Sequence, residues 1–162
     1  MIQLDVTSAE TERLSEIWGL SPDEKTVAMW QGENDLILWN LDKGEAERVP
    51  IMWNPGEGDR RTEKAGLCSV AWSPDSQQLA YVQASCPQPS STLMFFVIHV
   101  DLSGMEQRLL RTLQGYFSVD IQWETASQIK LRGCRLTDYK KWALDFDDWV
   151  LDPVTGELES VP

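Results

Sequence analysis

Short apolar runs separated by polar turns fill most of this chain. TVAMW (26–30), LILW (36–39), LAYV (79–82) and LMFFVIHV (93–100) are four to eight residues long, and each is bounded by Ser, Pro, Asp, Asn or Gly. Runs of that length and boundary read as strands rather than helices. RLSEIW has the i, i+3 spacing of a helical turn at Leu14 and Ile17, but the surrounding pattern favours a strand there too. Ile2, Leu4 and Val6 alternate with Gln3 and Asp5, so residues 2–6 also read as β. In TVAMW, Thr26, Ala28 and Trp30 lie on one face and Val27 and Met29 on the other. A strand that is apolar on both faces must be covered on both sides.

One phrase recurs. GLSPDEKTVAMW places Ser21-Pro22-Asp23 before a strand, and AWSPDSQQLAYV places Ser73-Pro74-Asp75 in the same relation to the next. A third, degenerate copy opens at Trp123 in WETASQIKLRG, where Glu124-Thr125-Ala126 replace Ser-Pro-Asp and Ile129 and Leu131 keep the alternation. Proline lacks an N–H and sits where a strand has just ended, while Ser and Asp oxygens cap the turn's free N–H groups. Each copy is followed by a run closing on Asp and then Gly: LILWNLDKGE, MFFVIHVDLSG and WVLDPVTGE. A repeat of about 50 residues in strand-rich sequence is the mark of a propeller or related array.

The pattern W-S-P-D-x-x-x-[LV]-A, a strand, then D-x-x-G-E resembles the repeat of TolB-like and WD40-type β-propellers. The WD40 Gly-His dipeptide is missing, so the TolB-like variant fits better. Gly usually follows the Asp in that family, whereas Glu24 and Ser76 stand there. The resemblance covers roughly residues 13–162. It implies an all-β fold of three four-stranded antiparallel propeller-type blades in a single domain. Blade 1 would span about 13–53, blade 2 about 67–113 and blade 3 about 116–162, with residues 2–6 as an extra edge strand. Closed propellers have about four to eight blades. Three therefore imply an open arc, or half of a six-bladed dimeric propeller, with apolar end faces in need of cover. The strand at 2–6 is a candidate to complete a neighbour's blade 3.

Blade topology sorts the connections. The Ser-Pro-Asp turns and the DKG, LSG and PVTG turns share one rim and read as structural. The longer connections, residues 54–66, 83–92 and 134–142, share the other, where binding residues usually sit. That rim holds Arg60, Arg61, Lys64, Lys140 and Lys141, with Tyr139 and Trp142 beside the last two. Aromatic residues next to cations often anchor interfaces, and these seven form the candidate partner-binding set. The plain alternative is a solvated loop with a Trp buried at its foot.

Composition narrows the function classes. The 162 residues carry 14 Lys and Arg against 26 Asp and Glu, a net charge of −12, which repels nucleic acid and anionic membranes and steers cationic partners inward. The 8 Trp suit packing between sheets. Cys68, Cys86 and Cys134 show no CxxC, which argues against a disulfide framework or zinc site. The N-terminal MIQLDVTSAETERLSE has neither the basic nor the apolar region of a signal peptide, so a cytoplasmic location is expected. ALDFDDWVLD gathers Asp145, Asp147, Asp148 and Asp152, but lacks the Gly and terminal Glu of a calcium loop. His99 is the only histidine, inside FFVIHV, and no nucleophile, phosphate-loop or metalloprotease motif accompanies it.

These features favour a non-catalytic protein-binding module with no cofactor and no metal. Its sharper form is an acidic inhibitor or immunity protein for a basic protein partner, with a homodimer as a further expectation. The alternative is a small-ligand or glycan-binding propeller whose Trp faces stack on sugars in an axial pocket.

Overall fold

The computed structural model describes residues 14–31, 35–50, 66–85, 93–138 and 140–161. The edge strand expected at residues 2–6 lies outside them, as does most of 54–66 and 83–92. Among the described residues twelve strands form three four-stranded antiparallel sheets, each a simple meander. Blade 1 comprises β1 (Leu14–Leu20), β2 (Thr26–Gln31), β3 (Asp35–Asn40) and β4 (Glu45–Pro50). Blade 2 comprises β5 (Gly66–Trp72), β6 (Gln78–Ser85), β7 (Met94–Asp101) and β8 (Glu106–Gln114). Blade 3 comprises β9 (Ser118–Thr125), β10 (Gln128–Asp138), β11 (Ala143–Leu151) and β12 (Leu158–Val161). The blades form an open arc, in which the inner strand β5 meets β1 on one side and β9 on the other.

The Ser-Pro-Asp phrase works as a hydrogen-bonded box. The buried Ser21 hydroxyl donates to Asp23 Oδ1 at 2.6 Å and accepts the Thr26 N–H at 2.9 Å, while Asp23 Oδ1 accepts the Lys25 N–H at 3.2 Å. Ser73, Asp75, Gln77 and Gln78 repeat the arrangement with the corresponding bonds at 2.6, 2.9 and 3.0 Å. Glu24 (φ 59°) and Ser76 (φ 61°) take the left-handed conformation there, which explains why the family pattern has Gly at these positions. In blade 3 the box is gone, and β9 turns into β10 through Ala126 and Ser127 alone.

Bonds between neighbouring turns register the blades. The Asp23 N–H donates to Ser76 Oγ at 3.0 Å, and Trp72 Nε1–H reaches the Gly19 carbonyl at 3.4 Å. The Ile121 N–H donates to Ser69 Oγ at 3.3 Å, and Arg108 of β8 donates to the Val154 and Pro153 carbonyls in the β11–β12 turn. The short turns therefore do gather on one rim.

The core is two apolar layers with blade 2 as the shared wall. Between blades 1 and 2, Ala28, Leu36, Leu38 and Val49 pack with Leu79, Tyr81, Phe96 and Ile98. Between blades 2 and 3, Ala80, Val82, Phe95 and Val97 pack with Ile121, Trp123, Ile129 and Leu131. Residues 79–82 and 95–98 are accordingly buried on both faces, as expected for a strand covered from both sides.

The two end faces differ. Blade 1 turns Val27, Met29, Ile37 and Trp39 outward, of which Ile37 is buried and the others half-buried. Blade 3 instead turns out Asp120, Gln122, Lys130 and Arg132, all exposed. The expectation of two apolar ends thus fails at blade 3. There, even positions of β9 and β10 are polar and odd positions face blade 2, the arrangement of a terminal repeat that meets water.

Candidate functional site

The β10–β11 hairpin outruns its neighbours. β9 pairs with β10 only as far as Ser118↔Cys134, and β12 pairs with β11 only from Asp148 to Leu151. Beyond those limits β10 and β11 continue alone, through Arg135↔Asp145 and Leu136↔Leu144 to Asp138↔Ala143. The segment expected as a loop, residues 134–142, is therefore strand as far as Asp138. The alternation Arg135-Leu136-Thr137 opposite Leu144-Asp145-Phe146 lets the two strands pair, leaving residues 139–142 as the turn.

The tip is held by local bonds. Asp138 Oδ1 accepts the Lys140 and Lys141 N–H groups at 2.8 and 3.3 Å, and the Thr137 hydroxyl donates to the Ala143 carbonyl at 3.1 Å. Trp142 closes the turn at φ 52°, a left-handed conformation unusual for so large a residue, and its side chain is 73% exposed. Leu144 and Phe146, two residues apart on one strand face, are 52% and 54% exposed. Leu136 and Cys134 lie directly across from them on the same face. One side of the projecting ribbon is thus an apolar row ending in an indole.

The other side braces the ribbon against the blade. The Tyr116 hydroxyl donates to Asp147 Oδ2 at 2.8 Å, and Arg135 Nη2 donates to Asp147 Oδ1 at 2.8 Å while its guanidinium lies 5.5 Å from the Tyr116 ring centre. Tyr116 meets Trp149 edge-on, with ring centres 5.3 Å apart. Burial, and then the bond to Asp147, push the Tyr116 phenol up from its ordinary value, so it stays a donor at neutral pH. Gly133 makes this packing possible: a Cβ there would fall 2.6 Å from the Tyr116 ring and 2.9 Å from Trp149.

Below the apolar row, the outer face of blade 3 forms a shallow open groove of about 470 Å³ that includes Asp120, Gln122, Lys130, Arg132 and Asp148. Arg132 grips Asp148 through two bonds at 2.7 and 2.9 Å, and Lys130 pairs with Glu124. The bonds from Arg132 hold the Asp148 carboxyl below the usual range, but both groups are exposed and such pairs add little stability. His99 Nε2 lies 2.9 Å from Gln78 Oε1, and partial burial followed by the charge of Arg108 lowers its pKa. Among the described residues no three His, Cys, Asp or Glu side chains converge on a metal position, and no helix is long and apolar enough to cross a membrane.

Of the seven candidate residues, Lys140, Lys141 and Trp142 sit together at the hairpin tip, all exposed. Tyr139, Arg60, Arg61 and Lys64 lie outside the described residues. Leu144 and Phe146 were not among the candidates, although they form the larger part of the apolar row. In sequence the L-D-F-D alternation reads as an ordinary strand with its apolar side inward. Only the short reach of β9 and β12 exposes that side.

No protein-family model matches the chain, and no curated protein matches it either. Solved structures do. The chain is similar to dipeptidyl peptidase 4 of Porphyromonas gingivalis, with a TM-score of 0.60 at 12% identity over 88% of this chain and 24% of that one. It is similar to the β-propeller domain of the Trilobed protease from Pyrococcus furiosus, described as having an open velcro topology, with a TM-score of 0.58 at 13% identity over 93% and 43%. The Swd1 β-propeller domain of Myceliophteria thermophila matches with a TM-score of 0.53 at 12% identity over 92% and 38%. The chain spans less than half the length of each, and at these identities the likeness establishes the propeller-type fold alone.

Proposed function

We propose that this chain is a non-catalytic protein-binding module whose contact element is the β10–β11 hairpin. The observation that carries this reading is the row Trp142, Leu144 and Phe146, each more than half exposed on a ribbon that stands clear of its blade. Exposed apolar groups gathered in one place mark interaction surfaces, and a Trp ringed by Lys is a frequent energetic anchor. The Tyr116–Asp147–Arg135 bracing keeps the ribbon in shape before a partner arrives, which lowers the ordering cost of binding. The charge of −12 favours a basic partner, since it speeds encounter with a cationic surface. An acidic inhibitor or immunity protein is the sharper form of the same reading.

The observations favour protein contact over sugar stacking. Trp123 is buried and Trp72 is half-buried against the layer between blades 1 and 2, so neither presents a free face to an axial ligand.

The test is capture of the partner from native cells by the intact protein and by a Trp142→Ala/Phe146→Ala variant. The variant should bind at least about tenfold more weakly, as expected for the loss of two anchors, while keeping its melting temperature because both side chains face water. The association rate with the wild type should fall steeply as salt rises. A partner held equally well by both proteins would move the site off the hairpin.

A further inference from the structure

The register of blade 3 leaves part of a strand edge open. Among the described residues, Ala143–Asp147 have β10 on one side and no strand on the other, because β12 reaches only to Asp148. Along an antiparallel strand successive residues point their N–H and C=O to alternate neighbours. The Phe146 N–H donates to the carboxylate of Asp145 at 3.1 Å, a side-chain partner that places this N–H on the open edge. By the two-residue period, Leu144 presents its backbone groups to the same edge.

We propose that the partner adds an extended strand to the β11 edge along Leu144–Asp147, and that this strand alternates apolar residues with lysine or arginine. The proposal rests on the hairpin being the contact element and specifies how it is read. A strand added there continues the column that β12 begins, so the sheet geometry is already set. Its side chains on one face would lie beside Leu144 and Phe146, which are apolar and exposed. Those on the opposite face would lie beside Asp145 and Asp147.

Arg135 approaches Asp147 at 2.7 Å but Asp145 only at 4.0 Å, and the Asp145 side chain is 62% exposed. Most of the Asp145 charge is therefore open to an incoming cation. Pairing by the new strand also takes over the Phe146 N–H, which frees the Asp145 carboxylate to receive that cation. Until then Asp145 shields the edge, as charged residues commonly do on unpaired strands.

The probe is a synthetic end-blocked peptide of seven alternating lysine and valine residues, titrated into the isotope-labelled intact protein. Three comparators accompany it: the same peptide N-methylated along its pairing edge, a glutamate–valine alternation, and a lysine block followed by a valine block. The alternating lysine peptide should slow amide exchange at Leu144 and Phe146 by about tenfold or more, the signature of new backbone bonds. N-methylation should weaken binding about tenfold, from the loss of one or two such bonds. The glutamate–valine and block peptides should leave both amides unprotected.

Shifts at Trp142, Leu144 and Phe146 with no change in amide exchange would overturn strand addition and leave the hairpin as a side-chain contact. Equal protection by the glutamate–valine peptide would overturn the basic alternation. No response to any peptide, with the captured partner still dependent on Trp142 and Phe146, would also overturn strand addition. Only a partner indifferent to those two residues would overturn the contact element itself.

Discussion

Replacing Gly133 with alanine should cost about 2 kcal/mol, and the structure allows two routes to that figure. The added Cβ would sit 2.6 Å from Tyr116 Cδ1, 2.8 Å from Cε1 and 2.9 Å from Trp149 Cη2, closer than any relaxed contact. If the rings hold their places, the strain is that of an overpacked site, about 1–3 kcal/mol. If Tyr116 swings away instead, its edge contact with Trp149 is lost, worth about 0.5–1.5 kcal/mol. Its bond to Asp147 goes as well, worth about 1 kcal/mol after discounting for solvent. Urea unfolding followed by tryptophan fluorescence reads the total, and amide exchange along Arg135–Asp147 reads whether the hairpin loosens first. The decisive comparison is Gly133→Ala in a Tyr116→Ala background, where most of the cost should vanish. An undiminished cost there, or one below about 0.5 kcal/mol in the wild type, the size of an ordinary surface change, would refute the argument that Tyr116 packs on the bare backbone.

Trp72→Ala should destabilise by about 2–4 kcal/mol because its indole packs at the layer between blades 1 and 2, whereas Trp142→Ala should cost under about 0.5 kcal/mol; equal losses in thermal unfolding would contradict the assigned exposures. Glu24→Gly should raise stability by up to about 1 kcal/mol, since it removes a left-handed non-glycine residue, and a lower melting temperature would show that no strain is stored there. Ser76→Gly should gain less, because Ser76 Oγ also accepts the Asp23 N–H. The Asp75 carboxyl is held below its ordinary value by the Ser73 hydroxyl and the Gln77 N–H. Its contribution is therefore complete above the unfolded value of about 3.9 and is lost as pH falls through the lower folded value. Asp75→Asn should flatten the acid limb of the stability curve below about pH 4, and an unchanged limb would count against the Ser-Asp box as its source.

The residues of this chain determine its local elements and their repetition. The Ser-Pro-Asp phrase places β1–β2 and β5–β6 because its oxygens satisfy turn N–H groups wherever it occurs, without help from the rest of the fold. The predicted strands fall within a residue or two of those observed in blades 1 and 2, since strand period and turn chemistry are properties of a dozen neighbouring residues. Double-sided burial of blade 2 was likewise legible, because LAYV and FFVI carry no polar face. What only the tertiary structure decided is where those elements end relative to one another. Cys134-Arg135-Leu136 looks like the start of a loop because its alternation is weak, yet β11 supplies the partner that makes it strand. LDFD looks like an inward apolar face until β9 and β12 stop short and leave it in water. The polarity of the blade 3 end face was present in Asp120, Gln122, Lys130 and Arg132, but it could be recognised as an end face only once odd positions were seen packed on blade 2. A candidate site made of chain lengths and edges depends on register between strands distant in sequence, and single-strand patterns do not encode that register.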